Sequence, residues 1–404
     1  MAVDTPDTGR PASAALLTVF AIAVGALIAN LYYAQPIVGR IADEIGLSEG
    51  VAGSISSVTQ IGYGLGLFLL VSLADLVENR RLVLCTLSLT VLSLIGVACS
   101  TGAISFFLAS FLIGLCATGA QVLLPFAAQL VPEERRGRIV GNIMAGVLTG
   151  IMLARPIALF ISASFGWRAV FWASAALLLG IGAALARMMP HHQPASGLHY
   201  GQIIASTTGL LRSMRGLRWR ATYGALMFGA FNMFWTAAPL MLADRFGLGE
   251  HAIGLFALAG AGGALAAPIA GRLADRDLED TTTVVAMVAL GLAFFATGWA
   301  TAAGILVALA VFAVVLDAAV QTNQVVSRRT IFAVPAAVRG RVNAAYMTIQ
   351  FAGGAIGSIL GTASYHVGGW NATAGIGVAV SMVLLICFGA ERWRRPVCQP
   401  QNGS

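Results

Sequence analysis

Long apolar runs separated by short polar joints make up nearly the whole chain. A helix needs roughly 20 predominantly apolar residues to cross a bilayer. Twelve stretches answer to this: 14–38, 51–74, 82–100, 104–130, 139–164, 169–189, 221–243, 253–273, 283–301, 305–326, 342–366 and 369–390. The first is too long for a signal-peptide core and reads as an uncleaved helix. Residues 1–13 and 391–404 form polar tails, and 190–220 is the longest polar joint.

The joints carry a bias that orients the spans. All 24 basic residues are arginine. With both termini cytoplasmic, twenty fall on the cytoplasmic side, Arg40, Arg168 and Arg245 fall outside, and Arg155 lies within a span. This is the positive-inside pattern, and a missed or invented span would scramble it. The net charge of +7 therefore reads as orientation in a bilayer, not as a nucleic-acid surface. Only 10% of residues are charged, against about 25% in soluble domains.

Composition removes several chemistries. Without lysine there is no phosphate-binding P-loop and no Schiff-base nucleophile, so active transport would draw on an ion gradient or a partner ATPase. Cys85, Cys99, Cys116, Cys387 and Cys398 have no metal spacing and read as small packing residues. His191, His192 and His199 sit in the 190–220 joint without ligand geometry. No paired histidines at metal spacing suggest a membrane enzyme.

The two halves repeat. Asn30-Leu31-Tyr32-Tyr33 answers Asn232-Met233-Phe234-Trp235, and 45–49 answers 246–250. Leu73-Ala74-Asp75 answers Leu273-Ala274-Asp275, Pro132 with Arg136-Gly137-Arg138 answers Pro335 with Arg339-Gly340-Arg341, and Gly166-Trp167 answers Gly369-Trp370. The offset stays between 200 and 203. Each unit holds six spans, an even number, so both copies enter the membrane the same way round. Parallel repeats related by an axis along the membrane normal are a transporter architecture, with the substrate site between them near the midplane.

Several motifs make the chain resemble the major facilitator superfamily over nearly its full length. Gly271-Arg272-Leu273-Ala274-Asp275-Arg276 is similar to the family's loop signature between helices eight and nine. Its first copy, Leu73-Ala74-Asp75 through Asn79-Arg80-Arg81, has Val71 in place of a glycine. The 132–138 loop and Gly166-Trp167-Arg168 at the start of helix six also match. Together with Asn-Leu-Tyr-Tyr-Ala-Gln-Pro in helix one, the pattern looks most like the twelve-helix drug:proton antiporter branch. Two departures stand out: Ser110 lies where that branch often has an arginine, and the fifth-helix Gly-Pro motif is reduced to Gly150 and Arg155-Pro156.

The resemblance implies an all-α membrane protein, with twelve transmembrane helices in two six-helix bundles related by a pseudo-twofold axis along the membrane normal. The bundles are 14–189 and 221–390, joined by the cytoplasmic linker 190–220. It also implies a cytoplasmic latch, made here by Asp75, Arg80, Arg81, Arg136, Gly271, Asp275, Arg276 and Arg339. Helices one, four, seven and ten would line the cavity while three, six, nine and twelve face lipid. Spans three, six and nine indeed hold no Asp, Glu, Asn, Gln or His. The candidate cavity residues are Asn30, Tyr33, Gln121, Arg155, Asn232, Trp235, Asp317, Gln321 and Gln324.

Ionisable groups in hydrocarbon are costly, about 2.5–3.5 kcal/mol at a helix centre on the mildest scale, and two occur. Asp317 has Gln321 and Gln324 at i+4 and i+7 on the same helical face; it is a candidate for proton or substrate handling, or for a structural hydrogen bond. Arg155 has three open roles: binding an anionic substrate, pairing with Asp317, or capping carbonyls freed by Pro156. Asn30 with Tyr33, and Asn232 with Trp235, offer hydrogen bonds and aromatic surface to an amphipathic ligand. The expectation is a monomeric secondary transporter of the bacterial inner membrane. It would export small amphipathic compounds on the proton gradient, with no bound cofactor and the bilayer and a small molecule as its only partners. The alternatives are a porter for a polar or anionic metabolite and a non-transporting sensor.

Overall fold

The computed structural model describes residues 13–191, 199–263 and 278–393, and the statements below concern these. Fourteen α-helices carry the fold. The first eight are α1 Ala14–Ala29, α2 Val38–Ile45, α3 Ser54–Leu69, α4 Asn79–Ala98, α5 Ala103–Ala117, α6 Gly119–Gln129, α7 Glu133–Phe165 and α8 Trp167–Met188. After α9 (Tyr200–Ser213) come α10 Arg215–Phe246, α11 Glu250–Gly263, α12 Glu279–Ala302, α13 Leu306–Phe332 and α14 Ala336–Trp393. Nine stretches are long and apolar enough to cross a membrane, one of which, α14, runs twice across. With α1 and α11 they account for the twelve spans.

Glycine makes the fold-back in α14. Gly369 has φ 62° and ψ −162°, a conformation that a Cβ disfavours. Gly166, its counterpart in the repeat, turns the chain between α7 and α8 with φ 82°. Each is followed by a buried tryptophan, Trp167 or Trp370, so the repeat read from sequence extends to backbone geometry.

The first span is not one continuous helix. α1 ends at Ala29, where Asn30 Nδ2 donates to Ala26 O at 2.8 Å. Leu31 and Tyr32 then bond three residues back, and Gln35–Ile37 forms a short 3₁₀ turn before α2. Pro36 has no N–H and crowds the carbonyl four residues earlier. The matching asparagine of the other half, Asn232, also donates to the carbonyl four residues back at 2.8 Å, yet α10 runs through it to Phe246.

The polar joint between the halves contains α9, which touches both. Tyr200 Oη donates to Leu69 O at 3.1 Å, and Arg341 donates to Ser206 Oγ at 2.7 Å. The helix after it begins at Arg215, ahead of the apolar run expected from 221.

Small residues let the spans pack closely. In the first half Gly25 lies against Gly146 and Gly150, and in the second Gly357 lies against Gly229. α10 is the most buried of the long helices and packs on α13 and α14. α4, α8, α12 and the second arm of α14 show Leu92, Leu179, Phe295 and Ile386 at the surface, an apolar exterior suited to lipid rather than water.

Candidate functional site

Between the halves lies a cavity of about 350 Å³. Its walls come from α1, α3, α6, α7, α10, α13 and the first arm of α14, and none comes from α4, α8, α12 or the second arm. Phe228, Phe231, Phe351, Tyr32, Tyr63, Met144 and Met347 make it mostly apolar and aromatic; Gln121, Gln321, Gln324, Gln350, Asn343 and Arg328 supply polar groups. Val140, Arg328, Phe332 and Asn343 mark its mouth: they are half-exposed and lie at or beside the arginine-rich helix ends at 133–138, 328–329 and 339–341.

On the far side the halves are sealed by a buried polar plug. Gln35 Nε2 donates to Asn232 Oδ1 and Thr236 Oγ1, both at 3.1 Å. Gln60 Nε2 donates to the same Asn232 oxygen at 2.7 Å and to Ser358 Oγ at 3.3 Å. Above it Ser57 Oγ donates to Ala355 O at 2.6 Å, Gly53 N donates to Thr362 Oγ1 at 3.0 Å, and Arg40 forms an ion pair with Glu250. Interhelical hydrogen bonds in membranes average only about 0.6 kcal/mol each, so this plug closes the path while staying breakable.

Both intramembrane charges sit between plug and cavity. Arg155 Nε donates to Gln35 Oε1 at 3.0 Å. Its guanidinium lies over three aromatic faces, with centroid distances of 4.7 Å to Trp235, 5.0 Å to Phe231 and 5.2 Å to Tyr32. Trp235 Nε1 in turn donates to Asp317 Oδ1 at 2.8 Å. The indole thus stands between the cation and the carboxyl, and no ion pair joins Arg155 to Asp317 in this conformation. Desolvated cation–π contacts contribute about 2 kcal/mol, which offsets part of the cost of burying Arg155. Asp317 is 5% exposed and fits because α11 has glycine opposite it. A Cβ at Gly260 would come within 2.7 Å of Asp317 Oδ2, and one at Gly263 within 2.9 Å of Ala318 N.

The Major Facilitator Superfamily model matches residues 17–327 and 224–404. The chain belongs to the major facilitator superfamily. It is 37% identical over 383 residues to the "Uncharacterized transporter YgaY" of Escherichia coli O157:H7, covering 95% of this chain and 96% of that one. It is 28% identical to the "Chloramphenicol resistance protein" of Streptomyces lividans, over 64% of this chain and 67% of that one. The solved D-xylose-proton symporter superposes with a TM-score of 0.73 at 16% identity, over 92% and 97% of the two chains. The twelve-helix major facilitator fold is thereby shown, and the protein is a transporter, not an enzyme. Its sole Gly-x-Ser-x-Gly string, 46–50, follows helix α2; a nucleophile elbow follows a strand, and the described residues contain none.

In this major facilitator protein the expected cavity residues divide into three groups. Gln121, Gln321 and Gln324 line the cavity. Arg155, Asn232, Trp235 and Asp317 form the layer above it. Asn30 and Tyr33 line neither: Asn30 Oδ1 accepts from Ser174 Oγ of α8 at 2.7 Å, inside its own bundle. Tyr33 bonds the same serine, so the pair keeps a common face that points into its own bundle, and Tyr32 is the residue of this segment that reaches the cavity. Tyr63, Arg328, Gln350 and Asn343 also belong to the lining, and Gln35, Gln60 and Ser358 to the plug. Of these, Asn343 and Gln350 do share a helical face in sequence.

Of the expected latch residues, Arg80, Arg81, Arg136 and Arg339 are described with their side chains. Arg80 bonds His191 and Ala186 O, within its own half and the start of the linker. Arg81 and Arg136 are exposed, and Arg339 Nε donates to Val334 O at 3.0 Å. Asp75 is placed in a 3₁₀ turn at 71–75, while Gly271, Asp275 and Arg276 lie outside the described residues. None of these four arginines bridges the bundles.

Arg155 reads here as a structural cation, since all its contacts belong to plug and aromatic cage. Arg155→Gln should lower the unfolding temperature by a few degrees and reduce flux of neutral and anionic compounds alike. A loss confined to anions, measured in reconstituted vesicles, would assign it to substrate.

Proposed function

We propose that the protein is a secondary transporter working by alternating access, coupling export of small amphipathic compounds to proton movement through Asp317. The arginine-rich face is cytoplasmic, as are both termini, in a bacterial inner membrane. The conformation described is then inward-facing, with the plug closing the outer side. The proton gradient is the energy source, and the two bundles rock about the layer that holds Arg155, Trp235 and Asp317.

The observation that carries this reading is the buried Asp317 carboxyl beside an aromatic-lined cavity. A volume of about 350 Å³ falls in the range of about 300–1,000 Å³ that takes drug-sized ligands. An intramembrane carboxyl is a default candidate for proton handling, and a single donor, Trp235, leaves it a proton to gain and lose. The chloramphenicol resistance protein among its relatives favours an amphipathic cargo. A second reading, a porter for an anionic metabolite, is favoured by Arg328 in the cavity wall.

The test is transport by the purified protein in proteoliposomes with an imposed pH gradient, using chloramphenicol and related amphipathic compounds. Flux should follow the sign of the gradient and stop with a protonophore. Flux indifferent to both would sink proton coupling.

A further inference from the structure

Among the described residues lining the cavity, Arg328 alone carries a charge. It follows Gln321 and Gln324 at i+7 and i+4 on α13, so the three share one helical face. Its Nε is buried without a hydrogen-bond partner, and an orphaned charged donor costs more than a neutral one. Its neighbour Arg329 has a carboxylate in reach, Glu279, to which Thr330 also donates; Arg328 has no such ion pair. Gln350 on α14, also in the lining, leaves Oε1 buried and unpaired. Turning that amide over would present its NH₂ at the same place, since O and N are assigned rather than observed. Arg328 thus brings the one charge to a lining whose other polar side chains are neutral amides and tyrosines.

We infer that Arg328 makes the cavity selective for small amphipathic carboxylates, its guanidinium binding the anionic head while Phe228, Phe231 and Phe351 hold the apolar body. The planar guanidinium fork matches a carboxylate with two parallel N–H···O bonds. A ligand ammonium would meet a like charge in a poorly screened space and is rejected. This inference rests on the cavity being the substrate site, as proposed above, and adds the class of substrate. It separates two cations by place: Arg155 lies in the closed layer, bonded to Gln35 through Nε and enclosed by three aromatic faces with Nη2 unpaired, and Arg328 lies in the cavity wall.

The experiment is equilibrium binding to the full-length protein in nanodiscs, read by calorimetry, with 2-naphthoate, 2-naphthamide and 2-naphthylmethylammonium. These share one apolar body and differ in charge. Naphthoate should bind about tenfold more tightly than naphthamide, and the ammonium compound should not bind. Arg328→Gln should bring naphthoate down to the affinity of the amide and leave the amide unchanged, which also reports a folded variant. Arg328→Lys, which keeps the charge without the fork, should retain part of the preference. Equal binding of naphthoate and naphthamide by the wild type, binding of none, or an unchanged preference in Arg328→Gln would overturn the inference. So would equal loss of both probes in both variants, the mark of a structural arginine. No gradient is present, so a failure of pH-driven flux in vesicles would sink proton coupling without touching this result.

Discussion

Replacing Asp317 by asparagine should reduce pH-driven transport in proteoliposomes to the level of empty vesicles, while exchange of substrate at equal pH continues. The substitution is nearly isosteric and keeps a carbonyl oxygen for the 2.8 Å bond from Trp235 Nε1, so the layer between plug and cavity should persist. It removes the one property that a proton carrier needs, the ability to gain and release a proton. Gly260 and Gly263 leave little space around the carboxyl, and the asparagine NH₂ must fit where Oδ2 now lies. The exchange measurement controls for that: a misfolded layer would abolish exchange too. Gradient-driven flux unchanged in Asp317→Asn would show that the proton travels elsewhere.

The same residues show what can and cannot be read from a linear pattern. Asp317, Gln321 and Gln324 were legible because a continuous helix carries them, and i, i+4, i+7 spacing fixes their common face. Asn30 and Tyr33 were grouped by the same rule and do meet one residue, Ser174 of α8, but the helix ends at Ala29 and their common face points away from the cavity. A proline six residues on, together with an asparagine able to bond its own backbone, is a signal for such a break. Arg328 was placed in a loop because the apolar run ends at Val326, whereas α13 continues to Phe332. Hydropathy marks where lipid contact stops, and a helix lining an aqueous cavity extends past that point.

Long-range pairing was hidden for a different reason. Gln35 meets Asn232 and Gln60 meets Ser358 across hundreds of residues of chain, and nothing in local spacing selects those partners. The repeat came nearest, since it aligned Asn30 with Asn232 and led to the two equivalent backbone bonds at 2.8 Å. It misled at one point: the two asparagines have the same bond to their own helices but different surroundings. Asn232 holds the plug, and Asn30 ties α1 to α8. Gly260 and Gly263 of α11 pack closely on their neighbours. What they pack against is Asp317 and Trp235, so the room they leave houses the buried carboxyl.

Two glycine substitutions of equal size should separate the folding of each bundle from the closing of the pair. A Cβ at Gly357 would come within 2.7 Å of Gly229 Cα on α10, inside the second bundle, where backbone faces backbone and neither side can yield. Overpacking of this kind costs about 1–3 kcal/mol or more, and Gly357→Val should give little folded protein by size-exclusion chromatography. A Cβ at Gly53 would come within 2.6 Å of Thr362 Oγ1, but this contact lies between the bundles, at the top of the plug. Gly53→Val should leave both bundles folded and force them apart at the plug, so the conformation described here is lost. Transport should fall to background in a monodisperse protein. Ser57→Cys, introduced with Gly53→Val into a cysteine-free background, should be labelled by an impermeant maleimide from the side opposite the arginines, and should stay protected when Gly53 is retained. Normal transport by Gly53→Val would show that the contact at the top of the plug is not part of the cycle. Aggregation of both variants alike would show that the contact between bundles is as necessary for folding as the contact within one.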